Sequence, residues 1–563
     1  MTPPSFENVP PSLLGILAGR LLQGVSLLLI GLTALGLVLT VWILAQESAW
    51  LPPPVIKDSE EAQKRNEQAF FHGTIGTEVA PLPVIQILPE LFPEHFRPFP
   101  QAEAGDWQRQ FGFIPSARVP IAHPAGENLE GVPLGFTLSH YRPRSGAPSP
   151  AKFVGLACAT CHTTLIRRTD GKDHLAIGVG NTALNLFAWL DAFQAALLDE
   201  EKLTMASIVS TYEAKSPPLS LEQKAIIALW LSGARAKLNA DAQKYDLPYG
   251  NGLPFRNADL VPTGPGRTQP FRTLVRSVLH RPGATMKVYT KVATVYWQDL
   301  ENGWGQFDGG IRGLHRRSSG AAFAAGATVQ NMNLPEIADN IIWASDYLKL
   351  LKGPQWADVF PDRPIDADKA ARGKQVYLTH CNACHGHPKN DTWVKGNRLG
   401  ELTLLAEIKT DPERVTFRYY EQLPDVLATL FPKQHRFDFP RDELQPAPGD
   451  PKRGYINKPL HSVFSRAPYL HNASVLSLKA LINLEDRQKV FIRGHNTYDP
   501  ETLGLSAPTD HKADDYRLYF RYDTGVPGNS NAGHDYPWPR EDVLKDTAKQ
   551  RDLGDLLEYL KTF

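Results

Sequence analysis

The chain has four cysteines, and they fall into two copies of one pattern: Cys158-Ala159-Thr160-Cys161-His162 and Cys381-Asn382-Ala383-Cys384-His385. Each copy reads C-x-x-C-H. Two thiols at that spacing add to the vinyl groups of one haem, and the His that follows directly is placed under the ring to bind iron. A chain with two such motifs has to fold around two flat macrocycles, and no other feature constrains its shape as strongly. Other uses of C-x-x-C fit less well. A thioredoxin-like redox pair calls for a surrounding βαβ pattern, which is not evident. A zinc site joining both pairs leaves the His after each pair unexplained. The expectation is two covalently bound c-type haems. Haem 1 sits on Cys158 and Cys161 with His162 as iron ligand, and haem 2 on Cys381 and Cys384 with His385. No cysteine remains for a structural disulfide.

A second segment bears on location. From Leu22 to Ala45 there is no charged residue, and Leu, Ile and Val dominate. As a helix at ~1.5 Å per residue this run reaches about 36 Å, enough to cross a bilayer core of about 30 Å. The apolar part of a cleaved signal peptide is shorter, ~7–15 residues, and ends in a small-x-small site. Leu44-Ala45-Gln46-Glu47 is a poor one. We therefore read residues 1–50 as a cytoplasmic N-terminus and an uncleaved transmembrane anchor that contacts the bilayer through residues 22–45. The flanking charges, Arg20 before and Lys57, Lys64 and Arg65 after, orient it weakly. Haem attachment of the c type takes place outside the cytoplasmic membrane. That implies a single-pass protein of the cytoplasmic (inner) membrane with its haem domains facing the periplasm. Lys plus Arg (60) equals Asp plus Glu (60), so the basic footprint of a nucleic-acid partner is missing.

The chain's 563 residues allow two to four domains. With 47 Pro and 43 Gly, much irregular backbone is expected between short elements. Pro52-Pro53-Pro54 gives a stiff exit from the anchor. Residues 51–352 form an N-terminal haem domain. Residues 352–364 (KGPQWADVFPDRP), broken by Gly and Pro, read as a linker, and residues 365–563 form a C-terminal cytochrome c domain. Within the latter, Asp366 or Asp368 can cap a helix running through Ala370, Gly373 and Tyr377 towards Cys381. Leu553, Leu556, Leu557 and Leu560 make an apolar stripe on a final helix. Gly373 lets the two helices cross closely, as in small c-type cytochromes. Residues 389–444 carry no recognisable motif and read as an insertion over haem 2. The fold class expected is mainly α with much irregular loop: two cytochrome c-type haem domains behind an N-terminal transmembrane helix.

The sixth iron position separates a carrier from a catalyst. Met occurs only at 1, 205, 286 and 332, so no Met follows the second motif. His387, His435, His461, His471, His495, His511 and His534 are the alternatives for haem 2. His534 is our choice, because the Gly/Asn-rich loop Gly528-Asn529-Ser530-Asn531-Ala532-Gly533-His534 can approach a flat cofactor closely. For haem 1 the options are His174, Met205, Met286, Met332 or nothing, and spacing selects none. Arg267 could pair with a haem propionate or with a surface carboxylate. Trp297, Trp304 and Phe307 could line a distal pocket, carry electrons, or be plain core. His471 reads most simply as a hydrogen-bonded structural residue.

Several segments, taken in order, resemble the dihaem cytochromes of the rubber oxygenase A type, distant relatives of the bacterial dihaem cytochrome c peroxidases. They are Val154 to His162, Gly264-Pro265-Gly266-Arg267, Ala321 to Thr328, Gly454-Tyr455 with Pro459-Leu460, Ala467 to Val475, Tyr498-Asp499-Pro500, Asp523-Thr524, Gly528 to His534, and Leu557 to Thr562. The resemblance covers about residue 130 to 563. It implies a mostly irregular and helical two-haem fold, proximal ligands His162 and His385, and His534 as sixth ligand of haem 2. It also brings His471 near haem 2 and adds Ala322 to the haem-pocket candidates Arg267, Trp297 and Phe307. In that family the N-terminal haem is active and holds oxygen, and the C-terminal haem is low-spin. The chain departs from the pattern at Phe307-Asp308-Gly309, where relatives often read Trp-Asp-Gly. It departs again at Thr268-Gln269, where relatives tend to carry an acid at the second place. An enzyme tethered to the inner membrane cannot meet solid rubber, so that substrate is not carried over. The expected function is electron transfer to or from a redox protein partner. The alternative is peroxidase- or oxygenase-type catalysis at haem 1. No Ser-His-Asp order or phosphate loop points to another enzyme class.

Overall fold

The computed structural model describes residues 13–45, 59–97, 106–115, 132–143, 145–245, 263–281, 286–298, 307–309, 311, 313–389, 392–417, 419, 422–433, 435–439, 453–507 and 519–563. Pro52 to Pro54, Trp304 and His511 lie outside these. The apolar N-terminal run forms one uninterrupted helix, Leu13–Ala45. Its stretch Arg20–Val38 is the one part of the described residues long and apolar enough to cross a membrane, and none of it is buried against the rest of the protein.

The helices Ser59–His72 and Pro335–Leu350 pack together around the first haem motif. Phe70 and Phe71 are fully buried there, with ring centres 5.2 and 6.5 Å from Tyr347. A three-stranded antiparallel sheet delivers the motif: Pro148–Leu156 lies between Ala80–Pro81 and Phe136–Tyr141, with Phe136 opposite Leu156. Alternate residues of these strands face an aromatic core of Trp107, Phe113, Phe136, Trp189 and Phe193. The chain leaves the sheet at Ala157, makes one helical turn over Cys158–His162, and runs into the hairpin Thr163–Arg167/Asp173–Ile177. Gly135 supports the turn from below. Its φ is +81°, and a Cβ there would lie 2.3 Å from Thr160 N, so only glycine fits.

The two C-terminal helices form, and cross, where their sequence signals place them. Asp366 is the N-cap of Ala367–His380 and accepts a hydrogen bond from Lys369 N at 3.0 Å. The final helix, Thr547–Leu560, buries Leu553, Leu556, Leu557 and Leu560, each contributing about 1.5–3 kcal/mol as an upper bound. It crosses the first helix at Gly373, where a Cβ would stand 2.0 Å from the Asp555 carbonyl oxygen. Arg372 clamps the same crossing through Asp555 at 2.6 Å, and Tyr377 donates to the Gly386 carbonyl at 2.7 Å.

Residues 352–364 differ from the expected linker. Trp356, Val359 and Phe360 are buried in a core that also holds Ile166, Tyr296, Phe464 and Tyr498. Trp356 packs at a tilt on Phe360, ring centres 4.6 Å apart, and edge-on to Phe464 at 5.3 Å. Gly and Pro reported correctly on the irregular backbone here, but they carry no information on burial, which the three apolar side chains decide. The two halves interlock elsewhere too. Arg267, 1 % exposed, donates to the Thr263 carbonyl and to Asn529 Oδ1, both at 2.6 Å. Its guanidinium lies 4.5 Å from the ring centres of both Tyr289 and Tyr522.

Candidate haem sites

The second motif sits where the helix Ala367–His380 ends and Asn382–His385 turns. His385 donates its Nδ1 proton to the Lys458 carbonyl at 2.7 Å. That bond fixes ring and tautomer and leaves Nε2 as a lone-pair donor, the usual outer support of a metal-binding His. Facing it is His534, with 6.4 Å between ring centres and 41° between planes. Two metal–nitrogen bonds of about 2 Å each, plus the two ring half-widths, add up to that span.

The loop carrying His534 is held by backbone contacts. His534 N donates to the Ile408 carbonyl at 2.8 Å. Arg487 donates to the carbonyls of Asn531 at 2.5 Å and Gly533 at 2.7 Å. Asn472 donates to those of Gly528 and Ser530. A Cβ on Gly533 would lie 2.4 Å from the Ile408 oxygen, which is why this loop is glycine-rich. Burial first, then His385 and Arg487, push His534 down to about 3, and burial also lowers His385. Both imidazoles are therefore neutral, the form that binds metal. His534 Nδ1 is buried without a hydrogen bond among the described residues. The two His, with Cys381, Cys384, Tyr455 and His471, line a cavity of about 160 Å³.

Of the remaining His candidates among the described residues, His471 lines this cavity and the others are placed elsewhere. His387 bonds Asn382, His495 bonds the Arg109 carbonyl, and His461 packs between Tyr296 and Trp297. His471 lies flat on Tyr455, ring centres 4.3 Å apart, with Nε2 3.1 Å from the hydroxyl. Tyr455 itself donates to the Asp411 carbonyl at 2.6 Å. The sequence reading missed the group behind this pair. Buried Arg414 pairs with buried Asp308 at 3.4 Å, donates to Thr290 and stacks under Phe271. Asp308 directly follows Phe307, and that adjacency was the only signal in the sequence. Phe307 lines both this cavity and the one at the first motif. Trp297 and Arg267 line neither.

At the first motif His162 repeats the support pattern, donating from Nδ1 to the Ala293 carbonyl at 2.9 Å. Burial pushes it down to about 4. What faces it is different. The cavity there measures about 980 Å³ and is lined by Cys161, Phe187, Asp191, Phe307 and Ala321 among others. Among the described residues no His besides His162 and no Met lines it. His174 stands on the hairpin strand Asp173–Ile177, Met332 is fully buried in the core that packs against Cys158 without lining the cavity, and Met205 and Met286 flank two other clusters. Ala322 is buried in the core behind the wall that Ala321 forms. Burial pushes Cys158 and Cys161 up to about 12, which makes them thiols, not thiolate ligands. No three His, Cys, Asp or Glu side chains converge as a metal cluster among the described residues, so the two Cys pairs do not join into one zinc site.

Lys291 also lines the large cavity and donates to the carbonyls of Arg466 and Pro468 at 2.7 and 2.8 Å. Burial, helped by Arg466 and Arg493, pushes it down from 10.5 to about 7. Between those two pH values the unfolded chain holds a proton that the folded chain has released, so folding stability rises with pH across that window. Relative to Lys291→Met, the wild type should gain up to about 1.4 kcal/mol per pH unit between pH 7 and 9, read from urea unfolding. A difference independent of pH would mean that Lys291 stays charged.

Among known proteins, the chain is 24% identical over 533 residues to the uncharacterized protein y4iJ of Sinorhizobium fredii, covering 82% of this chain and 85% of the relative. It is 29% identical over 225 residues to the uncharacterized protein y4iM of the same organism, covering 35% and 50%. Residues 454–492, which include Tyr455 and His471 on the wall of the second cavity, match the model of the RoxA-like, cytochrome c-like family, a likeness that supports a cytochrome-type region and the binding of c-type haem.

Proposed function

We propose that this protein is a membrane-anchored, periplasmic dihaem cytochrome c in which haem 2 relays electrons and haem 1 receives a small ligand such as oxygen or peroxide. One observation carries the reading: the two motifs are alike, but the spaces above them are not. The same prosthetic group is implied at each, yet the cavities measure about 160 and about 980 Å³. His385 and His534 close the smaller from both sides, whereas His162 supports the larger from one. When bound, a c-type haem supplies one-electron redox chemistry and, where one face of the iron is free, a place for a small ligand. The residues do the rest. Cys158, Cys161, Cys381 and Cys384 fix the rings covalently. The carbonyls of Ala293 and Lys458 hold the proximal imidazoles in one tautomer. Phe307 borders both cavities. The helix Leu13–Ala45 favours a second reading, that of a plain electron carrier held near a membrane redox complex.

The visible spectrum of the dithionite-reduced protein, before and after carbon monoxide, decides between the two. About half the haem should shift, because one iron of the two has a free face. No shift would mean that both irons are capped, and would leave the electron-carrier reading.

A further inference from the structure

The helix Leu186–Leu198 (LFAWLDAFQAALL) is apolar apart from Asp191 and Gln194. Phe187, Leu190, Asp191, Gln194 and Leu197 recur at helical spacing, and all of them line the 980 Å³ cavity that also holds His162. An aspartate on an otherwise apolar helix normally turns to bulk water, but Asp191 turns to this cavity. Among the described residues its carboxyl makes no hydrogen bond and no ion pair within the protein. Burial raises its carboxyl well above the usual carboxylate range, against the opposing pull of Arg272 on the helix Pro270–Ser277. The other ionisable groups lining the cavity, Cys161 apart, are Glu78, Arg142, His162, Arg272, Arg276, Lys291 and the paired Lys237 and Asp241, 3.0 Å apart. A carboxyl raised in this way, without a hydrogen bond in the protein and facing a cavity walled mainly by apolar side chains, donates to an acceptor whenever it holds its proton.

We propose that Asp191 is the hydrogen-bond donor of the first haem's cavity, and that it anchors a small electronegative ligand (dioxygen, a peroxide or a halide) there. This rests on the reading of haem 1 as open. It adds a residue that selects among ligands by their capacity to accept a hydrogen bond.

Fluoride is the probe, because it accepts hydrogen bonds strongly and binds ferric haem. Its affinity for the oxidised, full-length holoprotein should fall at least about tenfold in Asp191→Ala, the loss expected for one hydrogen bond to an anion. Asp191→Asn keeps an N–H donor and should restore most of the affinity. In the wild type, binding should weaken as pH rises through the titration of Asp191, whereas in Asp191→Asn that dependence should flatten. Haem content and the carbon monoxide spectrum check that each variant is intact. If carbon monoxide binds but Asp191→Ala changes fluoride affinity by less than about twofold, the role of Asp191 is wrong and the open site stands. If neither carbon monoxide nor fluoride binds the wild type, the open site falls and this inference falls with it.

Discussion

Replacing His534 with Gly is expected to raise the share of haem that takes carbon monoxide in the reduced protein from about half to nearly all, since the second iron then loses its sixth ligand. Gly is the right replacement for a physical reason. His534 has φ +56° and Gly533 before it +79°. A left-handed residue other than Gly costs roughly 1–2 kcal/mol, a strain that His534 already bears and Ala would keep, whereas Gly relieves it and so offsets part of the loss of the ligand. The loop itself should survive, because what fixes it is the bond from residue 534 N to the Ile408 carbonyl and the clamp of Arg487 on the Asn531 and Gly533 carbonyls. None of these uses the imidazole. The variant therefore separates ligation from folding. An unchanged carbon monoxide share, with both haems still attached, would remove His534 from the site.

Gly373→Ala gives the second large effect, and two terms of opposite sign decide it. Ala in a helix interior is favoured over Gly by up to about 1 kcal/mol. Against that, the new Cβ would meet the Asp555 carbonyl oxygen at 2.0 Å and its carbon at 2.4 Å. Both belong to the backbone of the final helix, so no side chain can swing aside. The helices must separate, and with them the packing of Tyr377 on Tyr559 and Phe563, at 5.5 and 5.0 Å between ring centres. Overpacking of this kind costs about 1–3 kcal/mol or more. With a backbone clash this close the upper end of that range applies, and set against the helix gain the net expectation is a loss of about 2 kcal/mol in urea unfolding. A neutral or stabilised variant would show that the two helices do not cross at residue 373.

These two sites were also the most legible in the sequence. A helix cap, a glycine one turn before Tyr377, an apolar stripe on the final helix, and a Gly/Asn-rich loop ending in His are local patterns. The supports of the proximal rings could not be read in the same way. The carbonyls of Ala293 and Lys458 belong to any residue type, so the sequence holds no trace of them. Arg414, Asp308, Tyr455 and His471 come from four separate segments, and only the fold brings them together. Asp191 stood in an apolar run that reads as plain core helix; its meaning comes from the cavity beside it. Residues 352–364 show a related limit: Gly and Pro punctuate backbone, and a punctuated segment with Trp and Phe in it can still be core.

The way the halves interlock sets an order of completion. Lys291 hangs its ammonium on the carbonyls of Arg466 and Pro468, 175 and 177 positions later. Arg267 reaches Asn529, 262 positions later. A chain made from its N-terminus presents Cys158 and Cys161 long before those partners exist. The first haem can be joined to a chain whose binding site still lacks part of its scaffold, and closing that site then waits for nearly the last residues to be added. The walls of both cavities thus depend on residues 453–534, among the last to be added.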